Sequence, residues 1–156
     1  MMGMNSLVGR IDQIVIPFLA RWSLPALRWS LAIVFVWFGA LKVLGVSPVV
    51  ELVAATVYWF DPDWFVPVLG VVEVMVGIGL AARWGLRLVL LVLVAQMLGT
   101  FLVFVFLPGI AFVGGNPLEL TVEGEFVVKN LVLLSAAMVV GTGVDRSHAR
   151  VTLVDG

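Results

Sequence analysis

The chain contains no cysteine and only one histidine, His148. The first absence excludes a disulfide framework, thiol redox chemistry and cysteine-ligated iron–sulfur clusters. It also argues against the four-helix membrane thiol oxidases, which work through cysteine pairs. The second excludes haem held between paired histidines. His148 sits in a polar tail with no second ligand beside it, so it reads as a solvated residue and no metal site is expected. Charge is scarce as well. Only 12% of the residues are charged and the net charge is −1, so nothing favours nucleic acid as a partner. A soluble domain needs far more polar surface than this.

What remains is apolar. Hydrophobic residues make up 62% of the 156, and the mean hydropathy is +1.18. That composition belongs to polytopic membrane proteins, and the length suits one compact membrane domain, residues 1–156. The expected fold is all-α: an integral membrane four-helix bundle with an N-terminal interfacial amphipathic helix and a short outer-face helix.

Residues 5–22 lack the uniformly apolar stretch of a secretory signal. Leu7, Val8, Ile11, Ile14, Val15, Phe18, Leu19 and Trp22 recur at helical spacing, with Asn5, Arg10, Asp12, Gln13 and Arg21 between them. The pattern predicts an amphipathic helix in the membrane interface, kinked or ended by Pro17. A helix packed on the end of the bundle is the other reading. Spans are expected at about 24–44, 65–82, 86–107 and 123–143, each near the ~20 residues that cross a bilayer. Ser47 and Pro48 look like the cap and first residue of a short outer helix over 49–60. Residues 61–64 read as a turn, and Gly114, Gly115 and Asn116 as a turn without the Lys of a phosphate loop. Thr121 is expected to cap the fourth span, Gly141 or Gly143 to end it, and 145–156 to form a cytoplasmic tail.

Arginines 10, 21, 28, 83, 87, 146 and 150 fall at one end of these spans, while Glu51, Asp61, Asp63, Glu119 and Glu123 fall at the other. The positive-inside rule then predicts both termini in the cytoplasm, with Trp22, Trp29 and Trp84 at the inner boundary and Trp59 and Trp64 at the outer one.

Intramembrane charge is costly and needs partners. Lys42 lies near the outer end of the first span, and Glu73 about eight residues into the second, ~12 Å deep. Glu125 and Lys129 share a face of the fourth helix at i,i+4 spacing. Gln96 and Thr100 share a face of the third. Glycines 39 and 45 flank Lys42, and Gly70 and Gly77 flank Glu73, where small residues let membrane helices approach closely. Lys42, Glu73, Gln96, Thr100, Glu125 and Lys129 are therefore the candidate site, its two Lys and two Glu leaving no net charge. Three readings stand: an ion network that fixes helix register, a pocket for a quinone headgroup or acidic solute, and a proton relay through Glu73.

The runs FGALK at 38–42, LGVVEVMVG at 69–77 and EGEFVVKNLVLL at 123–134 resemble the DoxX-like membrane proteins, over about residues 25–143. Bacterial DoxX proteins of unassigned role and the related YkgB/RclC-type group, linked to reactive chlorine resistance, are similar. The resemblance implies a four-helix bundle in the bacterial inner membrane and maps the family's polar positions onto Lys42, Glu73, Lys129 and Asn130. It further implies a membrane subunit or accessory factor in quinone-linked redox or oxidative-stress metabolism. Relatives that look like cargo or assembly factors leave a non-enzymatic scaffold open, and a small-solute or proton carrier stands as a third class. The chain has no cofactor ligand of its own, so a redox role requires a quinone or a partner subunit. The implied partners are the lipid bilayer, a membrane or peripheral redox protein, and a second copy of the chain.

Overall fold

The structure is a computed structural model that describes the backbone of residues 2–152 and the side chains of residues 11–143. Readings that rest on the side chains of Asn5, Leu7, Val8, Arg10, Arg146, His148 and Arg150 lie outside the described residues. Helices account for all regular structure here apart from one isolated bridge, Phe112 to Leu120. Four helical stretches are long and apolar enough to cross a membrane: Ile11–Val43, Pro62–Ala82, Leu86–Phe106 and Val122–Gly143.

The first helix, α1, runs without interruption over Met2–Val43. This corrects the expectation of a separate helix over 5–22. Pro17 and Pro25 lie inside α1 and end nothing. A proline removes one backbone bond, but no left-handed residue follows either one to turn the chain away. Every residue from 11 to 23 is exposed, so this part of α1 stands clear of the bundle. The other end of α1 is set by Gly45, whose φ of +70° closes a tight stop. Val46 N–H donates to Leu41 O at 3.0 Å and Gly45 N–H to Lys42 O at 3.2 Å.

A short helix, α2, spans Val50–Thr56. It starts after Val49 and has no side-chain cap, so Ser47 is not its cap as the sequence suggested. Asp61 does more than make a turn. It caps the next helix, α3 (Pro62–Ala82), by accepting the Asp63 N–H at 3.0 Å, with Pro62 in the first turn where no N–H is needed. At the far end of α3, Arg83 takes the left-handed conformation (φ 59°) and Trp84 N–H reaches back to Gly79 O at 3.1 Å. The Arg28 guanidinium on α1 donates to the last free carbonyls, Leu80 O at 2.9 Å and Ala81 O at 3.0 Å.

The third crossing is two helices in line, α4 (Leu86–Thr100) and α5 (Leu102–Phe106). At the joint Phe101 N–H bonds Leu98 O at 3.2 Å, three residues back instead of four, and the Thr100 hydroxyl donates to Met97 O at 2.7 Å. A one-turn helix, α6 (Pro108–Ala111), and a 3-10 turn at Val113–Gly115 lead to the last helix, α7 (Val122–Thr152). Helix α7 passes straight through Gly141 and Gly143, correcting the expected stop. Neither glycine adopts positive φ, so neither makes the left-handed cap that ends a helix.

Thr121 ties the start of α7 to α6. Its hydroxyl accepts the Gly124 N–H at 3.1 Å and donates to Ile110 O at 2.5 Å. We expect Thr121→Ala to lose about 1 kcal/mol as a missing N-cap, read as a lower midpoint of thermal unfolding in detergent. An unchanged midpoint would mean that α6 holds α7 without it.

The crossings form a square: α3 and α7 both flank α1, and both flank α4. Leu31, Phe35, Val76, Leu80, Leu93, Ala137 and Val140 form the main core, on the arginine side of the bundle. The α2 end is packed differently. Because α1 stops at Val43, level with Gly70 on α3, helix α2 folds across α3 and α5 to take its place. A small cluster around Val103, Ala111 and Val127 closes that end beneath the loop.

Candidate functional site

Helices α1 and α3 meet through glycine. A Cβ on Gly39 would lie 2.5 Å from Gly70 O, and one on Gly70 would lie 2.7 Å from Gly39 O, so each backbone rests on the other. Gly77 does the same against Ala32 O, at 2.7 Å. One turn beyond Gly39 stands Lys42, and one turn beyond Gly70 stands Glu73, so this approach delivers the two charges to each other. Lys42 Nζ donates to Glu73 Oε1 at 2.8 Å and Oε2 at 2.6 Å, and each residue is only 6% exposed. Lys42 lies in the last turn of α1, where the helix C-terminus favours a cation.

Helix α4 completes the group. Gln96 Nε2 donates to Glu73 Oε1 at 2.5 Å. That bond fixes the amide orientation, because a carboxylate can only accept. It leaves Gln96 Oε1 buried with no partner, the one such side-chain atom among the described residues. Asn130 on α7 is buried and donates to Thr100 Oγ1 at 3.0 Å. All four crossings thus contribute polar groups at one level.

Above this level, towards α2, the bundle is hollow. A cavity of about 280 Å³ has Lys42, Glu73, Gln96, Thr100 and Asn130 in its wall. Apart from Ser47 and Thr56 the rest of the wall is apolar, with Phe35, Phe38 and Leu41 of α1, Leu69 of α3, Leu102 of α5 and Phe126 of α7. Phe38 and Phe126 close one side as a tilted ring pair with centroids 6.3 Å apart. Val49, Leu52, Val53, Thr56 and Val57 bring α2 over it as a roof. The volume is at the small end for binding sites of compact organic molecules, and apolar walls with a few converging polar groups are their usual chemistry.

The structure does not bring Glu125 and Lys129 into this group. They form an i,i+4 pair at 3.4 Å whose side chains are 59% and 71% exposed, on the outer face of α7. The face of α7 that meets the bundle carries Gly124, Val127, Asn130 and Ala137 instead. The expected set of two Lys and two Glu is therefore one buried ion pair, two amides and a hydroxyl. Pairing within α7 removes the need for Glu125 and Lys129 to find partners across the bundle. Two features escaped the sequence reading. One is α2 as a wall of the site: the sequence shows a short helix after the first span, but its packing on α3 and α5 over the cavity is a tertiary fact. The other is Gly99, a helix-interior glycine in the cavity wall, whose signal was present but unremarked.

Comparison with curated proteins and with solved structures returns no match. A family model does match: that for DoxX, over residues 23–106, more than half of the chain. The match contains FGALK and LGVVEVMVG, and hence Lys42, Glu73 and also Gln96. The third run, at 123–134, lies beyond it. The protein is a multi-pass membrane protein of the DoxX family.

Proposed function

We propose that this protein binds a small amphipathic molecule, a quinone or quinol headgroup, in the cavity above Lys42 and Glu73. In this reading it is a membrane subunit or accessory factor of quinone-linked redox or oxidative-stress metabolism. One observation carries the reading: a mainly apolar cavity has in its wall a buried ion pair and one buried acceptor, Gln96 Oε1, that has no partner among the described residues. An unsatisfied buried acceptor costs about 1–3 kcal/mol, and the hydroxyl of a quinol, which can donate where a quinone carbonyl cannot, removes that cost. The apolar wall accommodates the ring and its substituents. Arg21, Arg28, Arg83 and Arg87 at the opposite end support placing that end in the cytoplasm, with both termini there and the cavity in the outer leaflet of what the family resemblance implies is a bacterial inner membrane. Electrons, where they flow, pass between the quinone and a partner subunit.

The test is mass spectrometry of an organic extract from protein purified in native lipids. We expect a quinone at near-stoichiometric amount, lost on replacing Gln96 and Asn130 by Leu together. An extract free of quinone, with a stoichiometric protein partner instead, would move the protein to the scaffold and assembly class. Proton uptake by proteoliposomes, abolished by Glu73→Gln, would move it to the carrier class.

A further inference from the structure

Glycines 39, 70, 77 and 124 are each explained by a backbone pressed against them. Gly99 is not. A Cβ built on it meets no atom within 4 Å, and its φ is not positive, so no backbone conformation requires a glycine there. It is the last but one residue of α4, at the joint with α5, and within a helix glycine is a poorer former than alanine because it loses more conformational freedom. The residue therefore carries a local cost with no packing gain. What it does have is a position in the cavity wall, nearly one turn above Gln96 towards the roof, beside Thr100 and Leu102. Gly99 is one of the residues that line the cavity, and a Cβ there meets no neighbouring atom.

We propose that Gly99 is a specificity-determining position: its missing side chain leaves the room in which the apolar part of the bound molecule lies while the polar part engages the Gln96 level. The inference rests on the ligand-binding reading and deepens it. The polar groups select a hydrogen-bonding headgroup, whereas position 99 selects what is attached to it. A substituent one helical turn, about 5 Å, from the headgroup corresponds to the first few carbons of an alkyl or isoprenoid tail. Enlarging residue 99 should then act on tailed molecules and spare tail-less ones.

The test uses the full chain in nanodiscs and two probes, decylubiquinol and its tail-less dimethoxy-dimethyl-benzoquinol counterpart. Wild-type protein, Gly99→Ala and Gly99→Leu are titrated with each. Affinity for decylubiquinol should fall at least tenfold in Gly99→Leu and less in Gly99→Ala, with affinity for the tail-less quinol within twofold throughout. Gly99→Ala should unfold at or above the wild-type temperature, since the Cβ meets nothing. A second readout uses the absence of cysteine: Gly99→Cys introduces a unique thiol, and decylubiquinol should slow its alkylation by N-ethylmaleimide at least fivefold. If wild-type protein binds decylubiquinol and Gly99→Leu binds it equally, the role of Gly99 is overturned while the ligand reading stands. If wild-type protein binds neither quinol, both fall.

Discussion

Glu73→Ala should destabilise the protein by about 3–5 kcal/mol, because it strands Lys42 in the bundle interior without its counter-charge. In a chain of this size that is a drop of roughly 10 °C in the midpoint of thermal unfolding. The reason is an asymmetry between making and breaking a buried pair. Lys42 and Glu73 repay their desolvation only through contacts of 2.6 and 2.8 Å, and removing one partner leaves the full penalty on the other. Removing both should cost much less. The double variant Lys42→Met, Glu73→Leu should recover more than half of the loss, in apolar side chains of similar bulk. Recovery stays incomplete because Gln96 Nε2 then loses its acceptor as well. The measurement is a four-cornered cycle of unfolding midpoints in one detergent. A single variant as stable as wild type would show that Lys42 finds water or the headgroup region by extending its side chain, and the ion pair would no longer count as a structural element.

Most of this site was legible in the sequence, for reasons that differ from residue to residue. Glycine followed three residues later by a charge, at 39 and 42 and again at 70 and 73, specifies both a close helix approach and what it brings together. Gln96 was legible as a polar residue in the middle of an apolar span. Glu125 and Lys129 carry the same kind of signal, but it misleads. Spacing of four residues shows that two side chains share a face and is silent on which face. The face of α7 is decided by Gly124, which lies so close to the Ala111 carbonyl that no Cβ would fit, and by Asn130, which reaches Thr100. Those are tertiary facts. Helix ends follow the same division. Gly45 stops α1 because it takes positive φ, whereas Gly141 and Gly143 have the same composition cue and continue the helix. A glycine permits a stop; the chain beyond it decides whether one occurs.

The same substitution, glycine to alanine, should act in opposite directions at different places in this bundle. At Gly99 it should stabilise by up to about 1 kcal/mol, the helix-propensity gain with nothing in the way. At Gly39 it should destabilise by about 1–3 kcal/mol despite that gain. There the new Cβ would meet Gly70 O at 2.5 Å, and Glu73 Cβ and Val74 N at 2.8 Å. Two of those three atoms are backbone in the middle of α3 and cannot swing aside. The helices must part by about 1 Å to reach ordinary van der Waals separation. Gly70→Ala imposes the same separation from the other side, against Gly39 O at 2.7 Å. Once one Cβ has moved the helices apart, the second enters space already opened. The double variant should therefore lose clearly less than the sum of the singles, by 0.5 kcal/mol or more, as residues in direct contact generally do. Strict additivity would mean that each Cβ is absorbed by local bending, with no shift of α1 against α3. The glycines would then be independent packing defects, and the contact that delivers Lys42 to Glu73 would have to be located elsewhere along the helix pair.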